Sequence, residues 1–438
     1  MEPARPAGAQ ELELAVGEVA QGGWCVAREP GGRVVLVRHT LPGERVLARL
    51  TEENARLARA EATAVLEASP DRVEPPCPHA HPGGCGGCDW QHASLAAQRR
   101  LKAAVIAQQL RRIAGLDREV TVEPLPGDED GLGWRTRVRF AVRADGLAGL
   151  RRHRSHEIID VGTCPIAHPL VNEAGVTQGR WPGAESVAAV TSPEPRERAV
   201  VVTPARTPHR RRPAGRAAGP DVWAAQVEDP VLVAGGGGGL TALRGSPFLH
   251  HTAVGRTWRT SAGVFWQVHP AAADVLAGLV REILRPQPGD VALDLYCGAG
   301  LFAGVLASAV GPSGTVIGIE SDRAAVRDAR HNLRDTPWAR IHRGDVAEVL
   351  GRAGWAEASL MVLDPPRAGA ARPVLDQLLR PGTSLRRVAY VSCDPATLAR
   401  DIAVFAEAGW ELSALRAFDA FPMTHHVECV ATLTRPED

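Results

Sequence analysis

The chain has 438 residues, with 50 Lys plus Arg against 50 Asp plus Glu, and 45% of its residues are apolar. That length calls for two or three domains, and zero net charge excludes a protein that coats nucleic acid by bulk electrostatics, though not one that grips it with local Arg patches. No run of about 18 apolar residues is present, so no membrane span is expected, and residues 1–22 lack the apolar stretch of a signal peptide, which points to a cytoplasmic chain.

Taken in chain order, short and partly alternating apolar segments lie at 12–16, 23–26 and 34–37. Gly22-Gly23, Pro30-Gly31-Gly32 and Pro42-Gly43-Glu44 separate them, which predicts a small β-barrel over 11–65. Residues 94–116 predict a helix that ends near Gly115. Strands follow at 138–142, 149–152 and 158–161. Residues 190–258, with Arg210-Arg211-Arg212-Pro213 and the Gly run 235–239, read as loop insertions in a β-rich domain. From Ala272 the pattern alternates. Helices at 271–284, 324–333, 372–380 and 397–409, and one after the Gly loop at 298–300, separate strands at 291–295, 316–320, 360–363 and 387–392. Two more strands lie near 411–418 and 427–434. This is the pattern of a mostly parallel, doubly wound Rossmann-like α/β sheet. The expected division is 1–65 as an OB-like barrel, 66–258 as a β-rich central domain, and 259–438 as a nucleotide-type α/β domain, with helix 94–116 packed on the last.

Strand, Gly loop and helix recur at Asp294-Leu295-Tyr296-Cys297-Gly298-Ala299-Gly300. Gly298 and Gly300 allow a ligand close to the backbone, and the next helix offers free N–H groups. Glu320, at the end of the following strand, suits a ribose diol. The loop lacks the third Gly of the dinucleotide pattern, which favours an adenosyl ligand over a pyrophosphate. Asp345, at the end of the third strand, can accept from an adenine amine.

Cys393 lies in Val391-Ser392-Cys393-Asp394-Pro395, after the rigid acidic loop Asp364-Pro365-Pro366-Arg367. A thiolate adds readily to electron-poor carbon such as pyrimidine C6, which turns C5 into a nucleophile that can take a methyl group. A base must then remove the C5 proton, and Glu428, in Thr424-His425-His426-Val427-Glu428, is the candidate. The prolines beside Asp364 hold a stiff loop that suits a planar base. Three of the eight cysteines form the cluster Cys77-x7-Cys85-Gly86-Gly87-Cys88, and Cys164 follows at a distance. Together they can bind zinc or an iron–sulfur cluster.

These residues resemble the bacterial RNA 5-methyluridine methyltransferases that use S-adenosylmethionine, in particular the iron–sulfur-containing 23S ribosomal RNA (uracil-5-)-methyltransferases. The resemblance spans nearly the whole chain. Leu41-Pro42-Gly43-Glu44 is similar to a phrase of the family's RNA-binding TRAM domain, and Ser155-His156-Glu157-Ile158 and Cys164-Pro165-Ile166 also match. The resemblance implies a 4Fe-4S cluster on Cys77, Cys85, Cys88 and Cys164. It implies cofactor contacts from Gln267 (in Phe265-Trp266-Gln267-Val268), Tyr296, Glu320, Asp345 and Asp364, a nucleophile at Cys393 and a proton acceptor at Glu428. Leu301 and His269 stand where the family usually has Asn, and the Cys77–Cys85 spacing is longer than the commonest one. The expected partner is ribosomal RNA, with transfer RNA as the alternative, and the expected state is a monomer. A cytosine-specific enzyme is disfavoured because Pro-Pro-Arg follows Asp364 where a Pro-Cys dipeptide would be expected. A non-catalytic RNA-binding factor is disfavoured by the intact Cys393 and Glu428.

Overall fold

The computed structural model describes residues 5–6, 11–54, 56–205, 220–235, 239–352 and 355–436. Alternation of apolar and polar residues folds the N-terminal segment into a closed barrel. Its strands are Glu11–Ala20, Trp24–Arg28, Val34–Arg38, Arg45–Glu53 and Leu57–Glu67, with Arg5–Pro6 added outside. Arg45–Glu53 pairs with both Glu11–Ala20 and Leu57–Glu67, and Val34–Arg38 pairs with Leu57–Glu67, so no strand edge of the barrel proper is left open. Every second residue turns inward, which places Leu14, Val16, Val35, Val37, Val46 and Ala48 in one core.

A seven-stranded sheet follows, built mainly on Arg137–Val142, Ala184–Ser192, Glu197–Pro204 and Val231–Ala234. The expectation of loop insertions over 190–258 is therefore corrected. Five strands begin within that stretch, from Glu197–Pro204 to Arg256–Ser261. The Val-rich segments 200–202 and 231–233 pair in parallel inside the sheet, and their brevity hid them among Gly and Arg. The Arg210–Pro213 run and Gly236–Gly238 lie outside the described residues.

The third unit is an eight-stranded sheet. From one edge its order is Ala339–Arg343, Thr315–Glu320, Val291–Leu295, Leu360–Leu363, Arg387–Ser392, Glu428–Thr434, Glu411–Asp419 and Val122–Pro124. The first five are mutually parallel, and the Glu428–Thr434 strand runs antiparallel to both neighbours. Helices cover both faces, as the doubly wound reading of the sequence requires. Val122–Pro124 comes from far upstream and has no local sequence signal long enough to reveal it. Helix Leu95–Gln109, continued by a π turn to Ala114 and closed by Gly115 at φ 67°, buries Ile106 and Leu110 against Leu398, Ile402 and Phe405 of the same core. Among the described residues no helix is long and apolar enough to cross a membrane.

Candidate active site

Parallel strands deliver their C-terminal ends to one edge of the sheet, and the loops that follow them build the site there. Val291–Leu295 ends in Tyr296, a non-glycine residue at φ 64°, and the chain then turns through Gly298 (φ 52°) and Gly300 (φ 91°) into helix Leu301–Val310. A Cβ at Gly298 would meet no atom of the described residues within 4 Å, so the turn faces open space. Glu320 ends Thr315–Glu320 and reaches back to the turn, accepting the Gly298 N–H at 3.0 Å and the Asp322 N–H at 2.7 Å. Asp345 follows Ala339–Arg343. One of its oxygens accepts the N–H groups of Ala347 (2.9 Å) and Glu348 (3.2 Å), which caps helix Val346–Arg352 and leaves the other oxygen out of those bonds. Gln267 lies on the loop after Arg256–Ser261 and lines a 280 Å³ cavity with Thr136 and Trp266. That loop is held by Arg137, whose guanidinium donates to the carbonyls of Ala262, Gly263 and Val264. Arg137 thus spends its guanidinium on the backbone of that loop.

Cys393 sits in the sharp passage from strand Arg387–Ser392 to helix Pro395–Glu407. Asp394 caps that helix, its Oδ1 accepting from Ala396 (3.0 Å) and Thr397 (2.9 Å), while its Oδ2 accepts from Gln21 of the barrel at 3.2 Å. Ser392 is in register with Cys429, so Glu428 stands beside Cys393 on the antiparallel neighbour. Asp364 leaves the adjacent parallel strand Leu360–Leu363, which completes a cluster of one thiol and two carboxyls.

Burial, the Glu428 and Asp364 charges and Asp394 push the Cys393 thiol up to about 12, and the Arg367 guanidinium opposes them. Glu428, 5% exposed, is driven well above the usual carboxylate range by burial and by the neighbouring Asp364 charge. Asp364 is raised by burial as well. Two carboxyls this close and this poorly solvated do not both ionise easily, so the site holds a proton acceptor of raised basicity beside a thiol. Arg367 is exposed, and its Nη2 is 3.2 Å from His426 Nε2.

Cys77, Cys85, Cys88 and Cys164 are free thiols that line one cavity of about 590 Å³ with Gln91 and His153. Tight turns bring them together. A Cβ at Gly84 would lie 2.2 Å from the His79 carbonyl, and one at Gly86 would lie 2.6 Å from His153 Cα. The Gly87 N–H donates to Cys85 Sγ at 3.4 Å, and the Asn172 side-chain amide brackets the backbone of Cys164. Among the described residues no three or more His, Cys, Asp or Glu side chains converge closely enough to hold a single metal ion. The structure thus gathers most of the sequence-derived residues in two places. Tyr296, Glu320, Asp345, Asp364, Cys393 and Glu428 lie at strand ends on one edge of the α/β sheet, the four cysteines line a second cavity, and Gln267 stands apart from both in the cavity it shares with Thr136 and Trp266.

Three regions of the chain match known families. Residues 355–436 match the tRNA (Uracil-5-)-methyltransferase family, residues 9–63 match the TRAM domain, and residues 260–372 match the protein-L-isoaspartate(D-aspartate) O-methyltransferase family. The chain is 52% identical to an uncharacterized RNA methyltransferase of Streptomyces avermitilis, over 97% of this chain and 98% of the relative. It is 33% identical to the 23S rRNA (uracil(1939)-C(5))-methyltransferase RlmD of Pseudomonas entomophila, over 91% and 88%. In fold it is similar to the Pyrococcus abyssi tRNA (uracil-54, C5)-methyltransferase in complex with S-adenosyl-L-homocysteine, with a TM-score of 0.71, 22% identity, and coverage of 97% of this chain and 100% of that one. The chain belongs to the RNA uracil-5-methyltransferase family, whose members methylate uracil C5 with S-adenosylmethionine.

Proposed function

We propose that this protein methylates C5 of a uridine in 23S ribosomal RNA through a covalent bond between Cys393 and uracil C6. The observation that carries the reading is the juxtaposition of Cys393, Glu428 and Asp364 at the carboxyl edge of the sheet, two strands from the Gly298–Gly300 turn. Ribosomal RNA is favoured by the 23S rRNA activity of the Pseudomonas relative.

S-adenosylmethionine supplies the methyl group. The open turn at Gly298 and the acceptors on Glu320 and Asp345 suit its adenosyl part, and Tyr296, Gln267 and Asp364 complete the set of contacts. The Cys393 thiolate attacks C6 of an unpaired or flipped uridine, and the C5=C6 electron pair becomes available at C5 for methylation. Glu428 then takes the C5 proton, the double bond reforms, and the Cys393 sulfur leaves with its electron pair. Burial keeps the Glu428 carboxylate basic enough for that task.

The barrel of residues 1–65 serves as an RNA-gripping unit, residues 66–258 carry the cysteine site, and residues 259–438 perform the chemistry. The four cysteines hold a 4Fe-4S cluster. Support comes from four free thiols on one cavity and from an N–H donor aimed at the Cys85 sulfur. Cys77, Cys85, Cys88 and Cys164 would each supply one thiolate to such a cluster. The protein acts as a monomer in the cytoplasm. Incubation with labelled S-adenosylmethionine and RNA from a strain lacking the gene tests the reading. Label should appear in 5-methyluridine at one 23S position. Label in another nucleoside contradicts the uracil assignment, and label in transfer RNA contradicts the ribosomal one.

A further inference from the structure

Glu428 opens its strand directly after the loop 420–427, and that loop is held in shape from outside the α/β unit. Met423 has φ 67°, a left-handed backbone that a non-glycine residue adopts only when its surroundings impose it. Its N–H donates to Gln98 Oε1 at 2.7 Å, across 325 positions of sequence. Its carbonyl accepts from the N–H groups of Asp89 (3.0 Å) and Trp90 (3.1 Å). Gln98, fully buried, spends its Nε2 on the Trp90 and Ala93 carbonyls and lies 3.3 Å from the Met423 sulfur. One helical turn later, on the same face, Lys102 donates to the Phe421 carbonyl at 3.0 Å and pairs with Asp419. Asp89 Oδ2 accepts from both N–H groups of His425, at 3.2 Å from the backbone and 2.6 Å from the ring. Helix Leu95–Gln109 and the segment before it therefore clamp the loop at Met423, four residues from its end.

We propose that Gln98 is a positioning residue for the base: by fixing the left-handed turn at Met423 it sets where the Glu428 carboxylate stands. This rests on the covalent uracil reading above. In the step concerned, the C5–H bond breaks with its proton going to Glu428, its electron pair forms C5=C6, and the C6–S bond breaks with its pair leaving on Cys393. A displaced Glu428 slows that step alone. Addition and methyl transfer continue, and protein with methylated RNA still bonded to Cys393 accumulates.

The test uses the full chain with Gln98→Met, which keeps the volume and removes every hydrogen bond of the amide. On ordinary uridine RNA, kcat should fall roughly ten- to hundredfold and KM should fall with it, leaving kcat/KM near the parent's, because the steps up to methyl transfer are untouched. A denaturation-resistant RNA–protein adduct at Cys393 should build up, while S-adenosylhomocysteine binding matches the parent. Gln98→Asn, which draws the amide back from the Met423 N–H by one methylene, should accumulate the same adduct and serves if Gln98→Met does not fold. Unchanged turnover overturns the proposal. So does reduced turnover without adduct, which assigns Gln98 to stability alone. The parent protein with 5-fluorouridine RNA is the control. If the parent forms no adduct there, the covalent reading fails and the proposal falls with it. If the parent does and the variants accumulate none on uridine RNA, only the role of Gln98 fails.

Discussion

Cys393 and Glu428 occupy facing positions on antiparallel neighbours, one register step beyond the Ser392–Cys429 pair. A strand end and a strand start thus place a thiol and a carboxyl side by side without a long loop between them. The same proximity is electrostatically costly, because each negative charge opposes the other in a site with little water. The consequences can be measured.

Glu428→Gln should leave Cys393 able to add to uracil and unable to finish. Product formation is expected to drop about 10²- to 10⁴-fold, the usual contribution of a positioned general base. Gel electrophoresis under denaturing conditions should show covalent RNA–protein complex on unmodified uridine RNA. Loss of product without that complex would place Glu428 elsewhere in the cycle.

The same substitution should stabilise the protein in the absence of ligands. The Glu428 pKa in the folded state lies well above the ordinary value of 4.5. Between those two values the folded state binds the extra proton, so stability falls as pH rises through that window. Gln removes the penalty. Tm of Glu428→Gln should equal the parent's near pH 4 and exceed it increasingly towards neutral pH. A gain independent of pH would contradict this origin.

Cys393 should alkylate slowly at neutral pH and faster as pH climbs, since its thiol is raised to about 12 by burial, Glu428, Asp364 and Asp394 against Arg367. Peptide mapping after brief iodoacetamide treatment reads this. Arg367→Ala should shift the profile to higher pH and Glu428→Gln to lower pH, because they remove charges of opposite sign.

Glu320→Gln weakens the acceptor proposed for the ribose. A hydrogen bond to a charged group contributes about 1.5–3 kcal/mol, so Kd for S-adenosylhomocysteine should rise roughly ten- to hundredfold by calorimetry. Because Glu320 also holds the Gly298 N–H, part of the loss will come from a looser turn.

Lys102→Ala should be among the most damaging single changes to stability. Lys102 and Asp419 are both buried, and Asp419 Oδ2 has no hydrogen-bond partner among the described residues. Breaking a buried pair from one side costs about 3–5 kcal/mol, measurable by urea unfolding. Replacing both partners with apolar residues of similar size should recover most of it.

Much of this was legible in the sequence because it is local. The strand before Cys393, the Gly turn before helix Leu301–Val310 and the acid at the end of Thr315–Glu320 each carry their own pattern within a few residues. The clamp was not legible. Gln98 and Lys102 read as ordinary polar positions of a helix, and only the folded chain shows that a loop more than 300 residues later uses them. Val122–Pro124 is too short to signal a strand, and its partner Glu411–Asp419 lies at the other end of the sequence. The task of Arg137 was equally hidden, since its donors go to backbone carbonyls more than 120 residues later.

The covalent role of Cys393 is tested most directly by incubating the protein with S-adenosylmethionine and RNA in which uridine is replaced by 5-fluorouridine. Fluorine at C5 cannot leave as a proton does, so the cycle should stop with the RNA bonded to the protein, and peptide mapping should find the bond on Cys393. Cys393→Ala should form no adduct and no 5-methyluridine. An adduct on another residue, or 5-methyluridine formed at the parent rate by Cys393→Ala, would contradict a nucleophilic Cys393.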